Sequence, residues 1–207
     1  INNLNIEVDK KQDKLVAGEN ITIEDNVISA IIPEVDSITK PQIDALFVNN
    51  VVLFTAEEDN STIGLYRLSS YQTLEYSMDI TNWNTFDTTT NIALNNGEIV
   101  YVRGILSGDN SYSDYTRFKM TGKIAASINC NALWNYQDLE APLKAYCGYR
   151  MFYNCTSLTK APELPATTLA YNCYTNMFRN CTSLTEAPEL PATELAENCY
   201  NSMFQGC

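Results

Sequence analysis

The chain contains no histidine at all. This removes the commonest general base, the Ser-His-Asp and Cys-His arrangements, and every histidine-based zinc site. It is the strongest argument in the sequence against an enzyme. Basic residues are also scarce: 13 Lys and Arg against 25 Asp and Glu leave a formal charge of −12 with no basic cluster, so nucleic acid is not an expected partner. No apolar run approaches the roughly 18 residues that span a bilayer, and no membrane insertion is expected. Paired carboxylates could still support glycosidase chemistry, but here the acidic residues are scattered through turns and repeats and read as solvated surface charge. No cofactor and no metal is expected. The start, Ile1-Asn2-Asn3-Leu4, has neither an initiator Met nor the basic-then-apolar pattern of a signal peptide, so trimming at the front is expected. What is present is enough to fold: 45% hydrophobic residues in 207 give a core for one ordinary domain or two small ones.

Cysteine is missing from the first 129 residues, and all seven copies lie at or after Cys130. Their register reveals a repeat. Leu143 to Thr168 aligns without gaps on Leu169 to Glu194, and a third copy runs from Leu195 to Cys207, a period of 26. Cys147, Cys173 and Cys199 share one column, and Cys155, Cys181 and Cys207 another. Met151-Phe152, Met177-Phe178 and Met203-Phe204 form a third. Leu169, Cys173, Met177 and Cys181 recur every four residues, which predicts a helix of about three turns near 168–179, with Thr167 as its N-cap. Asn154, Asn180 and Gly206 occupy equivalent positions suited to a left-handed C-cap. The following Cys181 to Pro188 predicts a short strand through Leu184, then a turn through Pro188 and Pro191.

A strand and a helix every 26 residues is the unit of a leucine-rich repeat. Such units bury their apolar faces only by stacking. The expected repeat core is Cys147, Met151, Cys155, Leu158, Leu169, Cys173, Met177, Cys181, Leu184, Cys199 and Met203. Aligned cysteine columns favour free thiols acting as small apolar fillers over disulfides. Cys147 and Cys155 are too far apart for a zinc knuckle. Cys130-Asn-Ala-Leu133 repeats the spacing of Cys155-Thr-Ser-Leu158, so Ile128 to Pro142 reads as a degenerate first repeat with Trp134 as its bulky core residue. The array is expected to continue beyond Cys207.

The string Met177-Phe-x-Asn-Cys181-Thr-Ser-Leu184-Thr-Glu-Ala-Pro-Glu-Leu-Pro-Ala-Thr resembles the BspA-like leucine-rich repeats of Bacteroides surface adhesins and of fibre proteins of their phages, including crAss-like phages. The resemblance spans Leu143 to Cys207 and implies adhesion without catalysis.

Between Ala45 and Ser127, short β-branched and aromatic runs alternate with turn clusters. Val51–Thr55, Ile63–Tyr66, Thr73–Tyr76, Trp83–Phe86, Asn91–Leu94, Ile99–Arg103 and Arg117–Met120 predict seven strands, with hairpin loops at Asn95-Asn-Gly97 and Asp79 to Asn82. Seven strands in this length suggest a small immunoglobulin-like sandwich. Leu74 to Asp79 with Trp83, and Ala93 to Gly104, are similar to modules that precede the same repeats in phage and Bacteroides surface proteins. Trp83 reads as core packing in preference to a sugar-stacking platform. Gly108 to Asp114 alternates oxygen-bearing side chains like a calcium loop, but it lacks the glycine and terminal glutamate of that motif and reads as a polar loop.

At the front, Leu4, Ile6 and Val8 alternate with polar residues, and Ile21 to Glu24 and Val27 to Ala30 flank Asp25-Asn26 as a small hairpin. Forty such residues cannot supply a monomeric core. Lys11-Gln-Asp-Lys-Leu15, Ala17-Gly18 and Val27-Ile-Ser29 resemble a segment near the N-terminus of phage head and tail fibres, where three chains intertwine. That likeness implies a homotrimer docked to capsid or tail proteins, with Leu4, Ile6, Val8, Leu15, Ile21, Ile23, Val27 and Ile28 as the anchoring and oligomerising residues.

The expected architecture is therefore mostly β with a repeat array: an N-terminal fibrous stem over 1–43, an immunoglobulin-like β-sandwich spacer over 44–127, and a leucine-rich strand-helix solenoid over 128–207. The expected function is a structural fibre on the surface of a phage virion, on the head in preference to the tail. Its C-terminal part would contact a host surface glycan or protein. The alternatives are a BspA-like bacterial adhesin and a virion-borne glycan depolymerase.

Overall fold

The computed structural model describes residues 50–207 and, within the first 49, the backbone of three strands. The chain is mostly β and divides into two compact units, Ile1–Asp44 and Ala45–Cys207. In the first, β1 (Leu4–Glu7), β2 (Ile21–Glu24) and β3 (Val27–Ala30) form an antiparallel sheet of order β1-β3-β2. The β2–β3 register pairs Ile21 with Ala30 and Glu24 with Val27, the hairpin expected around Asp25-Asn26. The side chains of Leu4, Ile6, Ile21, Ile23, Val27 and Ile28, and all of Val8 and Leu15, lie outside the described residues. So do the anchoring contacts expected of them.

In the second unit the period-2 runs become β4 (Val52–Ala56), β5 (Ser61–Arg67), β6 (Gln72–Ser77), β7 (Asn84–Thr85), β8 (Asn91–Leu94), β9 (Ile99–Leu106) and β10 (Arg117–Thr121). All seven expected strands are present, the run from Trp83 to Phe86 only as two residues. Three further elements complete the unit: β11 (Ile124–Ser127), the one-turn helix α1 (Ala132–Asn135) and β12 (Leu158–Lys160). They form two sheets, β10-β5-β8 and β12-β11-β4-β9-β6-β7.

Alternate residues of both sheets point into one core. Val52 and Phe54 of β4, Leu74 of β6, and Val100 and Val102 of β9 meet Ile63 and Leu65 of β5 and Phe118 of β10. The rings of Phe54 and Phe118 lie 5.3 Å apart. The other face of the larger sheet is covered too: Val51, Leu53, Ile99 and Tyr101 form a second cluster, against which Ile80, Trp83 and Ile128 pack. α1 crosses β9 at Gly104. A Cβ there would sit 2.7 Å from the Leu133 carbonyl and 2.6 Å from that of Thr73, so only glycine lets the helix approach. The Gln72 amide donates to the same Leu133 carbonyl at 2.7 Å. Cys130, Leu133 and Trp134 are buried. No break in the core falls at the expected boundary between 127 and 128.

The predicted helix near 168–179 is not formed. Residues 171–180 instead make a continuous chain of turns, as do their equivalents one repeat earlier and later. Asn172, Tyr174, Asn176 and Asn180 have φ of 56–62°, and a helix cannot contain left-handed residues at alternate positions. The same columns are left-handed in the other copies: Tyr146, Gly148, Arg150 and Asn154, then Asn198, Tyr200, Ser202 and Gly206. Asn154, Asn180 and Gly206 are left-handed as expected, but this geometry belongs to the whole segment and not to a helix end. Asparagine supplies five of these positions because its side chain tolerates this region. The every-four spacing misled because Leu169, Cys173, Met177 and Cys181 also fall on one side of such a turn chain.

The strand expected after Cys181 is absent. Its equivalent in the preceding copy is β12, which forms because β11 lies alongside in parallel and offers an edge. In all three related places the Cys-x-x-Leu spacing makes a turn: the amides of Leu133, Leu158 and Leu184 donate to the carbonyls of Cys130, Cys155 and Cys181 at 3.0 Å.

Candidate functional site

Alternating handedness decides where the backbone amides go. In the second copy, Cys173, Met177 and Cys181 close local turns onto Ala170, Tyr174 and Phe178. The residues between them reach the next coil: Asn172, Asn176, Phe178 and Asn180 donate to the carbonyls of Glu197, Asn201, Met203 and Gln205 at 2.9–3.0 Å. The first copy repeats the pattern, with Tyr146, Arg150, Phe152 and Asn154 donating to Tyr171, Thr175, Met177 and Arg179 at 2.8–3.1 Å. The coils are therefore stacked through backbone bonds. These bonds satisfy amides that burial would otherwise leave orphaned.

The cysteines have a role beyond filling space. Four thiols of the stacked columns donate to a carbonyl 29 residues earlier: Cys173 to Lys144 at 3.4 Å, Cys199 to Ala170 at 3.2 Å, and Cys181 and Cys207 to Phe152 and Phe178 at 3.0 Å. Every one of those carbonyls already accepts the amide three residues on, so the thiol takes its second lone pair. All seven cysteines are free. Burial pushes the thiols of Cys155 and Cys173 up to about 12, and those of Cys130, Cys147 and Cys181 upward as well. They are inert donors in this setting.

Of the predicted repeat core, Cys147, Met151, Cys155, Leu158, Leu169, Cys173, Met177, Cys181, Leu184 and Met203 are buried, and Cys199 is half-buried. Running through that core is a ladder of rings. Phe118 of β10 stacks on Phe152 at 5.2 Å, Phe152 on Phe178 at 5.5 Å and Phe178 on Phe204 at 5.7 Å, the planes within 17° of parallel. Phe118 also takes the place of a preceding coil in the hydrogen bonding. Its amide donates to Met151 at 2.8 Å, and its carbonyl accepts the Cys155 thiol at 3.5 Å. The edge strand of the smaller sheet is thus a template onto which the first repeat is built. The sequence gives no sign of this, because Phe118 lies outside the repeat.

The proline loops of successive copies leave two open grooves. One, of about 460 Å³, lies beside Pro142, Pro165 and Leu169, and the other, of about 480 Å³, beside Pro162, Pro188 and Pro191.

Trp83 is half-buried at the rim of the second cluster. The Arg103 guanidinium covers its ring at 3.8 Å and lies 4.3 Å from that of Tyr136, while its Nε pairs with Glu75 at 2.8 Å. Packing is therefore its role here. In the loop from Gly108 to Asp114 the oxygens serve the fold. Asp109 accepts the Ala145 amide at 3.0 Å, Ser111 accepts that of Asp114 at 3.0 Å, and Asp114 accepts the Ser70 hydroxyl. That hydroxyl is the main reason the Asp114 carboxyl sits below its ordinary range. Asp79 is held lower still, chiefly by the Asn82 amide closing the predicted hairpin loop.

Among the described residues, no group of three or more His, Cys, Asp or Glu is placed to hold a metal, and no helix is long and apolar enough to cross a membrane. Compared with known proteins, the chain matches no family model, no curated protein and no solved structure.

Proposed function

We propose that this chain is a non-enzymatic attachment protein: a structural fibre of a phage virion, on the head in preference to the tail, that displays a repeat array towards a host surface. The observation carrying the proposal is the phenylalanine ladder from Phe118 to Phe204, which runs one continuous core through the sheets and the coils. A body of this kind holds a surface at a fixed place and orientation, which suits display.

In this reading residues 1–43, whose strands form one three-stranded sheet, are the trimerising stem docked to a capsid or tail protein. The two-sheet region is an immunoglobulin-like spacer. Its second strand pairs with its fifth and its third with its sixth, as in that fold. Its first and seventh strands have exchanged sheets, β4 lying beside β9 and β10 beside β5. The coils are a leucine-rich solenoid in which a turn chain replaces the helix.

The experiment is light scattering on the full chain, with binding of the labelled chain to a panel of Bacteroides strains. A trimer that binds at least one strain saturably supports the proposal. A monomer removes the stem, and failure to bind any strain removes attachment.

A further inference from the structure

Tyrosine and arginine gather on one side of the second unit, where β5 and β10 meet the first coil. Arg117 of β10 lies 4.5 Å from the Tyr66 ring and 5.0 Å from that of Tyr153, and its Nε donates to the Tyr153 carbonyl at 2.9 Å. Arg150 approaches the same Tyr153 ring at 5.3 Å and the Tyr149 ring at 5.2 Å. Tyr149 and Tyr115, buried edge to face at 5.2 Å, form the floor, and the Tyr115 hydroxyl hydrogen-bonds the Arg150 guanidinium. Above this floor the Tyr66 ring is 65% exposed.

Two features show that these contacts leave the guanidiniums with capacity to bind. In a chain of net charge −12, neither Arg117 nor Arg150 has a carboxylate within ion-pair distance among the described residues. Arg103, by contrast, is paired with Glu75. Arg117 commits only its Nε, to the Tyr153 carbonyl, and Arg150 one hydrogen bond to the Tyr115 hydroxyl, so terminal donors of each guanidinium stay uncommitted. A planar, pre-oriented and unneutralised fork beside an exposed ring fits a carboxylate attached to a sugar. The acid takes two parallel hydrogen bonds, and the C–H face of the pyranose lies on the tyrosine.

We infer that the surface formed by Tyr66, Arg117, Tyr153 and Arg150 is a binding site for an acidic polysaccharide, the uronic- or sialic-type carboxylate being held by the arginines. This rests on the attachment reading and specifies its ligand.

The test is equilibrium titration of the full chain with three probes of matched length, a galacturonate oligomer, its methyl ester and a neutral maltooligosaccharide, together with polysialic acid and a DNA oligomer. One acidic glycan should bind and its binding should weaken with salt, while esterification or Arg117→Ala or Arg150→Ala should cost tenfold or more. Tyr66→Ala, at a position too exposed to endanger the fold, should weaken binding severalfold with an unchanged melting curve. Arg117→Lys should retain only part of the affinity, because the charge survives and the fork does not. The inference is overturned if neither acidic glycan binds, if ester and acid bind alike, if DNA binds as tightly, or if Arg117→Ala and Tyr66→Ala have no effect. Cell binding by the wild-type chain that persists undiminished in these variants would overturn the site and leave attachment standing. Absence of cell binding by the wild type would remove both.

Discussion

Replacing Phe152 with Ala tests whether the sheets and the coils are a single cooperative body. Phe152 is fully buried, with its ring 5.2 Å from Phe118, 5.5 Å from Phe178 and 6.2 Å from Phe54. Truncation removes the ring's transfer energy and leaves a cavity whose walls, being sheet on one side and coil on the other, cannot easily collapse. The cost for such a residue is about 3–5 kcal/mol, a large share of the roughly 5–15 kcal/mol that holds a domain folded. At roughly 2–4 °C per kcal/mol for a chain of this size, Tm should fall by roughly 6–20 °C. The two tryptophans report on different parts: Trp83 on the outer face of the larger sheet, and Trp134 in α1 with its ring 6.3 Å from that of Tyr174 in the second coil. Urea and thermal unfolding would be followed by far-UV circular dichroism and by the fluorescence of Trp83→Phe and Trp134→Phe backgrounds, each leaving one reporter. One body requires all curves to coincide and to shift together in the Phe152→Ala variant. If the Trp134 transition moves while that of Trp83 stays in place, the coils are a separate domain resting on the sheets and the reasoning fails.

Two further outcomes follow from the coil geometry. Asn180→Ala should lose about 1–2 kcal/mol because its φ of 61° is left-handed, whereas Asn180→Gly should be close to neutral; chemical denaturation of the pair measures the difference. Native protein should react with a thiol reagent chiefly at exposed Cys207 and half-buried Cys199, and denatured protein at all seven cysteines. The buried thiols also set an alkaline limit. Their folded pKa lies above the unfolded value of about 8.5, with Cys155 and Cys173 at about 12. Their contribution is therefore intact below about 8.5 and lost as pH rises towards 12, at roughly 1.4 kcal/mol per pH unit for each thiol. A denaturation series from pH 7 to 11 that showed no such decline would contradict their burial.

The strands were legible because a half-buried strand writes its period into the sequence: Asn91–Leu94 and Arg117–Met120 alternate cleanly, and the structure alternates with them. The 26-residue period was legible for the same reason, and it groups cysteines, methionines and leucines that the structure buries. The backbone conformation inside the repeat was not. A chain alternating left- and right-handed residues places every fourth side chain on one side, much as a helix does, and what distinguishes it is the asparagine at Asn172, Asn176 and Asn180, which serves in a helix reading only as a terminal cap. β11 was missed because Ile124-Ala-Ala-Ser carries little β signal of its own and is a strand because β4 and β12 lie on either side of it. The tyrosine and arginine surface was invisible in the sequence. Tyr66, Arg117 and Arg150 are far apart along the chain and come together only because β10 serves as the template of the first coil.

The most direct measurement of the central claim is a titration of the full chain onto intact Bacteroides cells and their isolated capsular polysaccharide, with polysaccharide length followed by size-exclusion chromatography in the same samples. Attachment without catalysis predicts saturable binding and a length distribution that does not change with time. Absence of binding, or shortening that disappears when one carboxylate is replaced, would contradict it.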